Sequence, residues 1–284
     1  MKKERLESVL GKPIIGVQTL SGGDIAHAQK VTTKSGTFFV KSGSFPNAKE
    51  LFEQEMVGLK TIEESESIDV PKIIGNYSFG GTACLILEFI KTKLPETLDM
   101  EAFGRKMAQF HLSTTSESFG FETDNFIGKL PQSNQRHSKW SSFYVMERLL
   151  PQLNLSQNLN LLKPSEVPEL EHLIEKCGNI FGMVTPSLLH GDLWSGNYLI
   201  STTGNSYLID PAVYYGHNEV DLAMTKLFGG FSNTFYGAYH EIIPPHENQK
   251  SLVEIYQLYF LLVHLNLFGT SYRNSVVQIL KKYF

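Results

Sequence analysis

Residues 190 to 197 read His-Gly-Asp-Leu-Trp-Ser-Gly-Asn, and a second apolar run downstream ends in Leu208, Ile209 and Asp210. The stretch between these two groups constrains the fold. Tyr198, Leu199 and Ile200 form a short apolar run, Ser201 to Asn205 supply polar and glycine turn residues, and Ser206 to Ile209 form the second run. That pattern predicts an antiparallel hairpin. Asn197 precedes its first strand and Asp210 follows its second, so closing the hairpin brings both side chains to the same open end. Two hard oxygen donors meeting there suit magnesium, which takes few protein oxygens and keeps waters and substrate phosphates. Asn197 and Asp210 are therefore the expected metal ligands, and Asp192 is placed to take a proton from a substrate hydroxyl.

The amino-terminal part predicts strands. Ser21 to Asp24 break the segment Ile14 to Lys41 once, and Lys34 to Gly36 break it again before Thr37, Phe38, Phe39, Val40 and Lys41. Three antiparallel strands follow. Gly22 and Gly23 in the first turn would let backbone N–H groups approach phosphates, since no Cβ intervenes; an ordinary hairpin reads the same way. Lys41 shares a strand face with Phe39 and so points inward, where an ammonium requires an anionic partner. The next helix offers one. With Asn47 as its cap, Leu51, Glu55, Leu59 and Ile62 recur at spacings of four, four and three, which places Glu55 inside an apolar stripe facing Lys41. Glu50, Glu53 and Gln54 fall off that stripe and are expected in solvent. Such a pair would hold the lysine against nucleotide phosphates.

After Val70-Pro71, residues Ala83 to Ile90 read as a buried strand. Glu88, Phe89 and Ile90 at its end are candidates for the connection between two lobes, where backbone groups would meet a purine base between apolar neighbours. ATP and GTP are both compatible with this. Further on, Met100, Phe103, Met107 and Phe110 have helical spacing, with His111 at the end of that face as a satisfied core histidine. Pro186 precedes a strand at Leu188 to His190, and Ser251 to Phe268 reads as a largely apolar helix of the interior.

Composition excludes several classes of function. The 284 residues carry a net charge of -4, which offers no attraction for nucleic acid or an anionic membrane. Cys84 and Cys177 are too few and too far apart in sequence for a disulfide framework and are expected as buried thiols. His240, His246 and His264 lack zinc-ligand spacing. Met1 to Leu10 lack the apolar stretch of a signal peptide, and the longest apolar run, Leu258 to Leu265, is well short of the roughly 20 residues that span a bilayer. The expectation is a cytoplasmic protein, monomeric or weakly dimeric, without nucleic-acid or membrane partners.

The string from His190 to Asn197 matches the protein-kinase pattern H-R-D-x-x-x-x-N at every functional position, with glycine in place of its arginine. Together with Ile209-Asp210-Pro211, Tyr215-Gly216-His217, Glu219 to Asp221 and Phe228-Gly229-Gly230-Phe231, it resembles the fructosamine (ketosamine) kinase family. Phe119-Gly120-Phe121, Asp124 to Gly128, Pro131-Gln132, Asn134, Trp140 and Arg148-Leu149 extend the likeness over nearly the whole chain. Two positions depart from familiar members: Asp24 stands where some have cysteine, and the segment from His264 to Gly269 lacks a tryptophan found in some of them.

The resemblance implies an α+β, protein-kinase-like fold with a small antiparallel-sheet lobe, 1–90, and a larger, mostly helical lobe, 91–284. It implies ATP and Mg2+ as cofactors and phosphorylation of a sugar hydroxyl, usually the 3-hydroxyl, of ribulosamines or fructosamines. The acceptor would be a small ketoamine or a glycated protein amine, and the outcome deglycation. Asp192 would be the catalytic base, and an exposed Trp194 would stack on the sugar. Tyr214, Tyr215 and His217 would line the same cleft or pack beneath it, and Asp221 would brace the catalytic loop. An aminoglycoside or other small-alcohol kinase shares the core motif, and a nucleotide-binding pseudokinase would keep it without turnover. A protein kinase is disfavoured because Asp210 lies so close to Val220-Asp221-Leu222 that no activation loop intervenes.

Overall fold

The computed structural model describes residues 3–20 and 26–284; Gly22, Gly23 and Asp24 lie outside the described residues. A first helix (Lys3–Leu10, α1) leads into strands Ile14–Leu20 (β1), His27–Thr33 (β2) and Gly36–Gly43 (β3), then a helix Ala48–Glu63 (α2) and strands Ile73–Phe79 (β4) and Thr82–Glu88 (β5). All five strands pair antiparallel in the order β1-β2-β3-β5-β4. Strand alternation divides the sheet's side chains between two faces. Val31, Val40, Cys84 and Ile86 pack on one face with Leu6 of α1, while Ala83, Leu85 and Leu87 pack on the other with Phe52 and Leu59 of α2. This is why β5 reads as a continuous apolar run: it is buried on both sides.

Local details here go beyond or depart from the sequence pattern. β4 breaks its apolar alternation with Gly75, Asn76 and Ser78, and is held as an edge strand by pairing with β5. α2 begins directly after Asn47, but that residue sits at φ +62° and makes no side-chain cap bond. The buried stripe of α2 is Ala48, Phe52, Glu55, Leu59 and Ile62, with Leu51 only half-buried. Gln54, expected in solvent, accepts a hydrogen bond from Thr123 of the other lobe at 3.1 Å.

Beyond β5 the chain is mostly helical. The connecting segment is tied down rather than free, with the Lys93 amide donating to Ile200 (3.0 Å) and that of Thr202 to Lys91 (2.9 Å). Then come α3 (Thr97–Ser113), the short hairpin β6 (Asn125–Ile127) and β7 (Leu130–Gln132), α4 (Trp140–Phe143), α5 (Leu150–Asn158) and α6 (Leu170–Phe181). Four short strands follow, β8 (Ser187–Leu189), β9 (Tyr198–Ile200), β10 (Ser206–Leu208) and β11 (Tyr214–Gly216), and then α7 (Glu219–Leu227), α8 (Asn233–His240), α9 (Gln249–Phe268) and α10 (Arg273–Tyr283). By length and composition alone α9 could cross a bilayer, but 56% of its apolar window is buried inside the protein, where Leu252, Ile255, Tyr256, Leu258 and Leu262 pack in the main core. Cys84 and Cys177 are both buried free thiols.

Candidate active site

The hairpin β9–β10 does what its sequence implies. Tyr198 pairs with Leu208, and the Ile209 amide donates to the Asn197 carbonyl at 3.0 Å, which sets Asn197 and Asp210 side by side at the open end. Asp210 sits at φ +55°, a left-handed conformation that aspartate tolerates better than most residues. On the preceding loop, the Asn197 amide nitrogen donates to the Asp192 backbone carbonyl (2.8 Å) and its carboxylate (3.2 Å). The Asp192 and Asn197 side chains are thus mutually oriented.

The loop itself hangs on a buried carboxylate. Asp221, fully buried in the first turn of α7, accepts from the amides of His190 (2.8 Å) and Gly191 (2.9 Å), and its Oδ2 lies 3.2 Å from His111 Nε2. Gly191 explains the missing arginine of the kinase pattern: at φ +82° a Cβ would stand 2.1 Å from the Ala212 carbonyl oxygen. His190 accepts from the Asp192 amide at Nδ1 (3.2 Å), so Nε2 donates to the Ile209 carbonyl (2.9 Å). Burial holds this histidine below its ordinary pKa, which keeps it neutral.

Lys41 reaches this group from the sheet. Its ammonium lies 2.8 Å from Glu55 Oε1 and also contacts Asp210, so one cation on β3 joins α2 to the end of the hairpin. Burial works against its charge, yet Asp210 and Glu55 together hold it well above the ordinary lysine pKa. Two carboxylates share this one ammonium. At Glu55 burial prevails and raises the carboxyl, whereas at Asp210 the opposing effect of burial is outweighed by Lys41 and the carboxyl is lowered. Asp192 is carried up to about 7, by burial first and then by the nearby Asp210, with the Asn197 amide pulling it down.

The remaining sequence candidates divide. Trp194 is 39% exposed beside Asp192, its indole folded back over Gly196. Tyr214 and His217 do not line the cleft. Tyr214 is fully buried, with the Arg148 guanidinium 3.9 Å from its ring centre and Phe143 stacked on it. His217 is buried with Nδ1 2.7 Å from the Tyr256 hydroxyl, which also accepts from Trp140 at 2.8 Å. Burial, and then the neighbouring His246, push His217 down to about 3. In the connection between the lobes, the Glu88 amide donates to Lys72 (2.8 Å) and that of Phe89 to Thr37 (3.3 Å). Sequence reading gave Arg148 no role of its own. Its buried guanidinium donates to the Ser133 carbonyl and to Asn134 Oδ1 (2.6 Å) while it stacks on the Tyr214 ring.

The sequence model of the fructosamine kinase family matches residues 1–284. The chain belongs to that family. Among fructosamine kinase relatives, it is 35% identical over 283 residues to a probable ketoamine kinase of Synechocystis sp., covering 98% of this chain and 94% of that protein. A protein-ribulosamine 3-kinase, chloroplastic, of Oryza sativa is 38% identical over 276 residues, 95% of this chain and 79% of the plant protein. A solved structure provisionally assigned as a fructosamine-3-kinase of Thermobifida fusca superposes with a TM-score of 0.85 at 31% identity, covering 98% and 96% of the two chains. An aminoglycoside phosphotransferase in complex with ADP and hygromycin B, at TM-score 0.65 and 15% identity, shares the fold over 98% of this chain and 97% of its own. As a fructosamine kinase family member the chain is an ATP-dependent phosphotransferase with a kinase-like, two-lobed fold.

Proposed function

We propose that the protein phosphorylates the 3-hydroxyl of ketoamines, ribulosamines or fructosamines, whether free or on glycated protein amines, and so promotes loss of the sugar. The observation that carries this reading is the exposed Trp194 beside Asp192 in a chain of this family: an indole face next to the catalytic carboxylate suits a sugar's C–H face and a nearby ammonium. The names of the Synechocystis and Oryza relatives support the same substrate class.

In this reading residues 1–90 hold the nucleotide and 91–284 hold the acceptor. Lys41, oriented by Glu55, neutralises the nucleotide phosphates. Of the three residues Glu88, Phe89 and Ile90, the first two have their amides taken up by the sheet, which leaves Ile90 as the amide donor to the base. Asn197 and Asp210 would hold Mg2+. Among the described residues no three or more His, Cys, Asp or Glu side chains form a self-sufficient metal cluster. A pair of hard oxygen ligands completed by phosphates fits magnesium for that reason. When bound, the ion neutralises charge on the leaving phosphate. Asp192 orients the acceptor hydroxyl and accepts its proton, and most of the rate arises from positioning and electrostatics. The test is ATP consumption with ribuloselysine, fructoselysine and an aminoglycoside, with Asp192→Asn as control. Turnover of the aminoglycoside alone would overturn the ketoamine reading.

A further inference from the structure

Glycine is the poorest helix former after proline, so a buried glycine inside a helix implies that something packs against it. Gly58 of α2 is such a residue. A Cβ at 58 would stand 2.9 Å from Pro211 Cγ and 3.5 Å from both Pro211 Cβ and Val213 Cγ1. The first distance is about half an ångström short of ordinary carbon–carbon contact. Only the absence of a side chain lets α2 rest on the residue after Asp210. Positions 55, 58 and 62 share a face of the helix, being three and four residues apart. On that face Glu55 accepts from Lys41 at 2.8 Å, and Ile62 is buried with Met100, Leu208 and Val213 in the core of the helical lobe. Phe52 and Leu59 of the same helix pack against the sheet. α2 thus spans the junction of the two lobes, with Glu55 one turn from the seat on Pro211.

We propose that Gly58 is a positioning residue for nucleotide binding: its contact with Pro211 and Val213 sets how close α2 lies, and so holds Glu55 where it aims the Lys41 ammonium at the phosphates. The inference rests on reading Lys41 as the group that meets those phosphates. A side chain at 58 has to displace one of the two partners. The segment 211–213 is tied on several sides: the Ala212 amide donates to the His190 carbonyl (2.8 Å), Asn125 Nδ2 donates to the Val213 carbonyl (2.8 Å), and the adjoining Tyr214 pairs with Leu189 of β8. The Pro211 ring, closed on its own backbone, cannot rotate away. α2 is held by side-chain packing and by the Gln54–Thr123 hydrogen bond (3.1 Å), so the helix yields and carries Glu55 with it. The Lys41 ammonium then keeps its contact with Asp210 and loses the second carboxyl group that directs it.

Gly58→Ala and Gly58→Val test this, because both residues are better helix formers than glycine and a loss cannot come from a weaker helix. Equilibrium titration with Mg-ADP is expected to show an affinity lower by about threefold for alanine and about tenfold for valine, the scale of one charge-assisted hydrogen bond, with adenosine bound within about twofold of the parent. Pro211→Ala removes the Cγ that the new Cβ meets, and should return Gly58→Ala to within about twofold of Pro211→Ala alone. In a Glu55→Gln background Gly58→Val should add less than about twofold, since its effect passes through Glu55. Parental ADP affinity in Gly58→Val would overturn the proposal even with a lowered denaturant midpoint, as would equal losses for ADP and adenosine, or full additivity with Glu55→Gln. A Gly58→Ala chain that fails to fold both with and without Pro211→Ala would also overturn it. Unchanged ADP affinity in Glu55→Gln itself would instead overturn the reading of Lys41 on which the inference rests.

Discussion

Lys41 on β3 contacts Glu55 of α2 at 2.8 Å and Asp210 at the end of the β9–β10 hairpin with the same ammonium. The β3–α2 side and the hairpin side of the site are therefore coupled through one largely buried ammonium. Replacing Glu55 by Gln keeps the shape but weakens the acceptor that holds Lys41, so Lys41 leans toward Asp210 and away from nucleotide phosphates. We expect Glu55→Gln to raise the KM for ATP by roughly tenfold with a smaller effect on the acceptor KM, on the scale of one charge-assisted hydrogen bond. Steady-state kinetics with each substrate varied in turn decides this, and an unchanged ATP KM would refute it.

Asp192 and Asp210 should separate by kinetic signature. Asp192→Asn removes the proton acceptor, and kcat is expected to fall by about 10²-fold or more while ATP binding persists. Asp210→Asn weakens the metal ligand, so half-maximal activity should require several-fold more Mg2+. Chelation of Mg2+ is expected to abolish turnover in the parent. Near-parental kcat in the first variant, or an unaltered Mg2+ requirement in the second, would sink the respective role.

Asp221 should matter to folding and catalysis together. Its buried carboxylate accepts from two loop amides and faces His111. Asp221→Ala leaves those donors unpaired in the core, a loss of about 3 kcal/mol in unfolding free energy. Denaturant titration measures it, and kcat should fall in the same variant because His190 and Gly191 lose their anchor. A stability change under about 0.5 kcal/mol would contradict the bracing role.

His217 gives stability a pH dependence. Its folded-state pKa is about 3 because burial disfavours the imidazolium, against roughly 6.5 when unfolded. Between these values the unfolded chain binds more protons, so this contribution is complete above about pH 6.5 and is lost as pH falls toward 3. By linkage the loss reaches about 2 kcal/mol at pH 5. Denaturant titrations at pH 7 and pH 5 should show that decline in the parent. His217→Asn, which cannot titrate, should be less stable at pH 7 but flatter with pH; parallel slopes would count against the assignment.

How much was legible follows from how far each inference had to reach. The hairpin carrying Asn197 and Asp210 depends on neighbouring residues alone, and its strands fall where alternation and turn residues put them. Glu55 could be chosen over Glu50 and Glu53 because helical period alone sets which glutamate shares a face with Leu59 and Ile62. β4 was hidden, since an edge strand interrupted by Gly75 and Asn76 is specified by the β5 backbone beside it rather than by its own pattern.

Sequence by itself determined which residues come together as the candidate set: Asp192, Asn197 and Asp210 on one loop and hairpin, with Lys41 and Glu55 paired. Tertiary structure decided what surrounds them. Tyr214 and His217 lie just past Asp210 in the chain, yet Arg148, Phe143, Trp140 and Tyr256 cover them and remove both from the cleft. Trp194 stays exposed beside the same loop. Local periodicity fixes the face on which a side chain emerges, whereas burial depends on which distant segments pack over that face.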